Sequence, residues 1–198
     1  NLSKIFSVML SFAFSNHDVP RSISRQIAPL NVKREDSKDL QLLLLKLESC
    51  LIGSTCIYQG EELAFEDVTD IPLEKMQDPW GIEFAATFPG RDTCRTPMVW
   101  DASAPNGGFS DANQTWLPIG KQHFKQAALG EVKKPDSIYN SFSEFLAWRK
   151  SQPAFMQANT MTKLSGSDRQ IIFDRISEQQ TLRCCFDFDT LTASFEEI

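Results

Sequence analysis

The sequence predicts an α/β protein in which two parallel strands are joined through a helix and followed by a small antiparallel β domain. Three observations carry this. Two short apolar runs, one ending at Phe14 and one at Tyr58, stop abruptly in polar, charge-bearing residues, as strands of a parallel barrel do at the C-terminal mouth where catalytic side chains sit. Between them a leucine face recurs at helical spacing, and the order strand, helix, strand implies parallel strands. Beyond residue 168, two apolar segments flank the polar break Ser177-Glu178-Gln179-Gln180, the pattern of an antiparallel hairpin.

Met9 to Phe14 is short, apolar and aromatic-rich, which fits a buried strand, and Pro20 closes the loop carrying Asn16, His17 and Asp18. Asp36 and Ser37 can cap the next helix, in which Leu40, Leu43, Leu44, Leu47 and Leu51 form a core face. Gly53 stops that helix, and Thr55 to Tyr58 makes the second strand, ending in Gln59-Gly60-Glu61-Glu62. Residues 64–121 are punctuated by prolines and glycines, with Trp80, Trp100 and Trp116 among them. Such a segment suits an ordered binding loop, its aromatics packed in the loop or core or free to stack on sugar faces. Asp136 or Ser137 opens a helix to about Lys150, with Phe142, Phe145, Leu146 and Trp148 on its apolar side and Pro153 beyond its end. Arg169 to Ile176 and Thr181 to Asp189 are the expected hairpin, and Leu191 to Phe195 an added edge strand. The expected division is 1–155, with the long loop 64–121, and 156–198, a β domain that is whole or partial.

Composition excludes some partners. The 198 residues, 41% hydrophobic and 23% charged, are those of an ordinary globular protein. With 26 acidic against 20 basic residues and a net charge of −6, a nucleic-acid partner is not expected, because such binding needs clustered Lys and Arg, and Lys133-Lys134 is too short a run. Five cysteines form an odd set without Cys-x-x-Cys spacing, and the neighbours Cys184 and Cys185 on a strand point to opposite faces. Buried or half-buried free thiols in a reducing cytoplasm are expected. His17 and His123 are far apart without a partnering ligand pattern, so no metal site is expected. The apolar stretch Lys4 to Phe14 has no Ala-x-Ala-like cleavage site and is too short to span a bilayer, so neither a leader nor a membrane segment is expected. A start at Asn1 rather than Met suits an isolated domain or a cleaved product.

Taken alone, Asn16-His17-Asp18 is a tripeptide that a capped loop could also explain, with Asp18 satisfying backbone donors. Its neighbours change the reading. Phe14-Ser15-Asn16-His17-Asp18-Val19-Pro20-Arg21, then a helix, then Tyr58-Gln59-Gly60-Glu61-Glu62, then Gly90-Arg91-Asp92-Thr93-Cys94-Arg95-Thr96-Pro97-Met98 resemble, in order and spacing, the last part of an alpha-glucosidase or oligo-1,6-glucosidase of the alpha-amylase family. The resemblance implies the last two strand–helix units of a (β/α)8 barrel followed by a small antiparallel β-sandwich, and an α-glucoside oligosaccharide as substrate.

Retaining glycosidases place a nucleophilic carboxylate and an acid/base carboxyl about 5 Å apart across the scissile bond. By resemblance, Asp18 is the third carboxylate, a transition-state stabiliser whose acceptor strength grows as positive charge develops on the ring. His17 contacts the same sugar, and Arg95 reaches its non-reducing end, where a planar fork of donors suits hydroxyls. Arg25 faces the leaving-group side or is a solvated arginine at a helix start. Arg91 and Asp92 are expected to brace the loop as an ion pair, with support of the residues that touch the sugar as the alternative. Glu61 makes structural contacts beneath the site, and Gly60 allows a tight turn. Adjacent glutamates at a strand end point in different directions, so Glu61 and Glu62 cannot flank one bond. Departures from the family pattern are Thr55, Ala64 and Val99, where proline, glycine, and glutamine or proline are common.

The family's nucleophile lies in a Gly-x-Arg-x-Asp-type segment at the fourth strand and its acid/base follows the fifth; neither segment occurs here. The chain alone is therefore expected to be inactive, to need the preceding part of the barrel, and to associate through open strand edges. Two other outcomes stay open: a transglycosylase or isomerase of the sucrose isomerase or trehalose synthase type, and a non-catalytic scaffold derived from the family. Retention of Asp18, His17 and Arg95 together argues against the scaffold.

Overall fold

The computed structural model describes residues 10–84, 87–157 and 160–198. Strands β1 (Ser11–Phe12) and β2 (Ser54–Thr55) pair in parallel, with Ser11 opposite Ser54 and Phe12 opposite Thr55. Both are shorter than the sequence suggests, because each has one hydrogen-bonded neighbour and a two-stranded ladder offers little to extend them. Met9, the expected first strand residue, lies outside the described residues. Gly53 does more than end the helix. Its φ is 128°, and a Cβ there would sit 2.2 Å from the Leu10 carbonyl oxygen, so only glycine lets the two strands meet.

Between them lie α1 (Ser22–Gln26) and α2 (Ser37–Cys50). Asp36 occupies the N-cap position of α2 without a side-chain cap bond. The helix is held instead by burial of Leu40, Leu43, Leu44, Leu45 and Leu47. The tract from 64 to 121 is irregular, as expected. It carries 3-10 turns and the short α3 (Pro79–Glu83), and is anchored by an apolar cluster of Leu63, Phe65, Met98, Val99 and Ala127. The indole rings do not follow the packing expectation: Trp80, Trp100 and Trp116 are 60%, 51% and 64% exposed. After the short α4 (Ala128–Glu131), helix α5 (Ile138–Lys150) starts where Ser137 Oγ accepts from Asn140 N at 3.1 Å, and α6 (Pro153–Met156) follows.

The C-terminal residues make one antiparallel sheet of β3 (Thr160–Met161), β4 (Ser165–Ser167), β5 (Gln170–Ile176), β6 (Thr181–Asp187) and β7 (Thr192–Glu197). The β5–β6 register runs from Gln170 opposite Asp187 to Ile176 opposite Thr181. Leu182, Cys184 and Phe186 point inward, while Arg183 points outward and pairs with Asp174 across the ladder at 2.9 Å. Among the described residues the inner face of this sheet packs on helices rather than on a second sheet. Phe173 and Phe186 share one core with the leucines of α2 and with Phe142, Phe145 and Phe155. The reason is the aromatic payload of α5 and α6: Phe195 lies 5.5 Å from Phe145 and 4.8 Å from Trp148 between ring centroids, so these helices already supply the apolar partner a second sheet would provide. The core thus runs across the expected boundary at 155/156.

Cys50, Cys94 and Cys184 are buried and Cys185 half-buried, but Cys56 is exposed, because its strand ends one residue before it. Among the described residues, no helix is long and apolar enough to cross a membrane.

Candidate active site

The loop after β1 is shaped by its own side chains. Asn16 Oδ1 accepts from Asp18 N at 2.8 Å, closing an Asx turn and leaving the Asp18 carboxylate for other partners. Ser15 Oγ donates to Glu61 Oε1 at 2.5 Å and accepts from Ser22 N at 2.8 Å. Glu61 also accepts from Ser22 Oγ and from Tyr58 N, both at 2.9 Å. A single buried carboxylate therefore ties the loops after β1 and β2 to α1.

Arg21 is the second tie. Only 1% exposed, it donates to Gln59 O at 2.5 Å and to Cys94 O at 3.1 Å, and its guanidinium carbon lies 5.1 Å from the Tyr58 ring centroid. Tyr58 Oη donates to the same Cys94 carbonyl at 3.1 Å. Cys94 immediately precedes Arg95, so these bonds fix the segment that presents Arg95 to the first loop.

Two guanidinium groups converge on Asp18. Arg95 Nη2 donates to Asp18 Oδ1 at 2.8 Å and its Nε to His17 O at 2.6 Å. Arg91 Nη1 reaches the same Oδ1 at 3.3 Å. His17 Nε2 lies 3.4 Å from Asp18 Oδ2. The sequence groups Asp18, His17 and Arg95; Arg91 joins them directly on Asp18, where the sequence pairs it first with Asp92 and gives it only a supporting role as the alternative. The correction has a clear cause. Asp92 is turned inward, its Oδ2 accepting from Gln77 N at 2.5 Å and Asp78 N at 2.8 Å. Arg91 is held instead by Asp78, whose side chain is fully buried. Asp78 accepts from Arg91 N, Nε and Nη2, and these hydrogen bonds draw its carboxyl down to about 2 and raise the Arg91 guanidinium further. Arg91 also stacks over the Trp80 ring at 5.3 Å. The signal that could have found it is Gly90, whose φ of 72° places the chain against Gly81 and so brings Arg91 onto Asp78.

Arg25 lies elsewhere. It donates to Pro20 O at 2.9 Å and to Phe14 O, and it lines a cavity of about 480 Å³ with Phe14, Leu44, Leu47 and Ile171, a lining that does not include Asp18. Cys94 is buried, which pushes its thiol up to about 11 and removes it as a nucleophile. His123 is buried too, stacked on Phe65, and burial lowers it to about 4. Chemically, the Asp18 cluster is a half-exposed carboxylate fixed through one oxygen, with Oδ2 beside an imidazole. It can accept from neighbouring hydroxyls but cannot by itself cleave a bond.

A parallel strand pair joined through a helix, with loops that gather a carboxylate and two cations, belongs with barrel-type glycoside-processing domains, and the comparisons with known proteins put the chain in that class. The family model described as alpha amylase, catalytic domain, matches residues 3–158, and the chain belongs to that family. It is 46% identical over 143 residues to a probable alpha-glucosidase of Rhizobium meliloti, covering 72% of this chain and 25% of that protein. To an oligo-1,6-glucosidase of Halalkalibacterium halodurans it is 28% identical over 202 residues, covering 94% and 35%. Among solved structures, the alpha-glucosyl transfer enzyme XgtA superposes with a TM-score of 0.82 at 32% identity over 94% of this chain and 33% of that one. The chain thus spans about a quarter to a third of the length of these relatives.

Proposed function

We propose that this chain is the C-terminal part of a retaining alpha-glucosidase, and that it supplies the transition-state carboxylate and the sugar-holding cations of a site whose nucleophile and acid/base lie in the preceding part of the barrel. The observation that carries this reading is the convergence of Arg91 and Arg95 on one oxygen of Asp18. Two cations on Oδ1 orient the carboxylate, so that Oδ2 is turned to substrate. As a glucosyl ring flattens toward an oxocarbenium ion its hydroxyls become better donors, and an ionised acceptor gains strength in step. His17, beside Oδ2 and largely exposed, donates to the same edge of the sugar. The fixed forks of Arg91 and Arg95 close the far end of a pocket for one terminal glucose.

The other half of the chemistry belongs to residues this chain does not contain. A glucosyl–carboxylate bond would form on the nucleophile as the glycosidic bond breaks and the leaving oxygen takes the acid's proton; water would then reverse the sequence. The same intermediate passed to a sugar acceptor gives transfer, and the 32% identity to a glucosyl transfer enzyme supports that as the second reading.

The test is glucose release from p-nitrophenyl-α-glucoside, maltose and isomaltose. The chain alone is expected to be inactive, and the chain mixed with a separately made N-terminal part active. Activity that survives Asp18→Asn in the mixture would sink the assignment; disaccharide products richer than free glucose would decide for transfer.

A further inference from the structure

A second cavity lies apart from the Asp18 cluster and shares no residue with it. It measures about 500 Å³, within the range of about 300–1,000 Å³ typical of small-molecule sites. Trp116 lines it and is 64% exposed, a large apolar surface left in water. Around it stand the amides of Gln77, Asn113 and Gln114, and Ile119 and Phe124 form an apolar base. The wall is built rather than loose. Asn106 holds its turn by donating to Ser110 O at 3.0 Å and Ala112 O at 2.6 Å, and Thr115 Oγ1 donates to Leu117 O at 2.6 Å on either side of Trp116.

The chemistry of this lining selects a ligand class. One acidic and one basic side chain, Glu74 and Lys75, border it, so it offers no net field for a phosphate or polyanion. Amides that can both donate and accept, beside a flat amphipathic ring, match a neutral ring bearing hydroxyls on its rim and C–H groups on its face. We propose that this cavity is a second saccharide site that holds one or two pyranose units of an α-glucan chain; the choice of α-glucan rests on the function proposed above. The site is wired to the first. Gln77 N and Asp78 N share Asp92 Oδ2, and Asp78 carries Arg91. Sugar held at Gln77 therefore sits one residue from the carboxylate that orients Arg91.

The experiment is a titration of the chain with maltotriose and isomaltotriose, followed by NMR at the Trp116 indole N–H and the side-chain amides of Gln77, Asn113 and Gln114. Saturable shifts are expected in the unaltered chain and in Asp18→Asn, with affinity weakened on the order of tenfold in Trp116→Ala. Gln114→Ala provides a second exposed variant should Trp116→Ala lose its dispersed spectrum, and is expected to weaken binding likewise. No shifts, shifts that persist unweakened in both variants, or shifts abolished by Asp18→Asn would overturn the proposal. Failure here leaves the Asp18 reading intact, since that is judged by hydrolysis in the reconstituted mixture. Conversely, lost hydrolysis with retained shifts would separate the two.

Discussion

Asp78 grips Arg91 at three points, its Oδ2 accepting from the backbone N at 2.7 Å and Nε at 3.2 Å and its Oδ1 from Nη2 at 2.7 Å. The residue that touches Asp18 is thus itself fixed by a fully buried carboxylate 13 positions earlier. Asp78→Asn keeps the shape but removes the charge, and is expected to lower unfolding free energy by about 2 kcal/mol at pH 7. The folded carboxyl titrates near 2, below its usual value of 3.8, so the stabilisation is present above about pH 4 and fades as pH falls through 2. Urea midpoints of the two proteins should therefore converge at the acid end. Equal midpoints at pH 7 would show that Arg91 is not held by this charge.

Arg91 and Arg95 share Asp18 Oδ1 but differ in what else they do. Arg95 also holds the His17 carbonyl, so Arg95→Met loosens the loop after β1 as well as removing a cation, whereas Arg91→Met leaves that loop's bonds in place and instead strips the side-chain bonds from Asp78. In the reconstituted enzyme, each is expected to lower kcat/KM by about tenfold or more, with the larger loss for Arg95. Because both act on one oxygen, the double variant should lose less than the product of the two. A fully multiplicative result would mean that they serve separate groups.

Glu48 on α2 is 1% exposed, with Oε2 accepting weakly from Phe14 N at 3.4 Å and Oε1 buried without a partner. Burial first, and then the nearby Glu61 carboxylate, push its carboxyl up to about 8. The unfolded chain releases this proton near the ordinary value of 4.5 while the folded chain holds it, so stability falls as pH rises from about 4.5 to 8. Glu48→Gln mimics the protonated form. It is expected to stabilise the protein on the order of 2 kcal/mol at pH 7 and to have no such effect at pH 4. The check is thermal unfolding at both values; an unchanged Tm at pH 7 would place the Glu48 charge in a solvated setting.

What the sequence makes legible follows from how local each cause is. Helices α2 and α5 and the β5–β6 hairpin declare themselves because their apolar period and their stop signals lie within one stretch of chain. The parallel strands do so only in part, because their length depends on neighbours rather than on their own residues. Asp18, His17 and Arg95 were found through motif order, but the Asp78–Arg91 tie was not: Arg91 has an acidic residue directly beside it, and nothing local says that Asp92 turns inward onto Gln77 and Asp78. Ala64, noted as a departure from glycine, proves to have φ of 55°, so that one comparison with the family pattern identified a left-handed position that propensity could not.

His123 offers the sharpest test of the loop's interior. It is fully buried in the 3-10 stretch Lys121–Gln126, stacked on Phe65 with ring centroids 4.0 Å apart and planes 2° from parallel, and its Nε2 faces Glu66 O at 2.9 Å. A carbonyl can only accept, so Nε2 carries the proton, and the buried Nδ1 is an acceptor without a partner. Burial holds the imidazole down to about 4. As pH falls below about 6.5 the unfolded chain takes up a proton that the folded chain refuses until about 4, so stability is lost across that window, on the order of 3 kcal/mol. This slope opposes that of Glu48 between pH 4.5 and 6.5. His123→Gln keeps a donor where Nε2 stood and has no titration, but loses the stack, which costs about 1 kcal/mol. The variant is therefore expected to unfold more easily than the parent at pH 7 and less easily at pH 4.5, the two stability curves crossing between. Parallel curves over that range would mean that His123 titrates alike in folded and unfolded chains, and that the loop core is open to water.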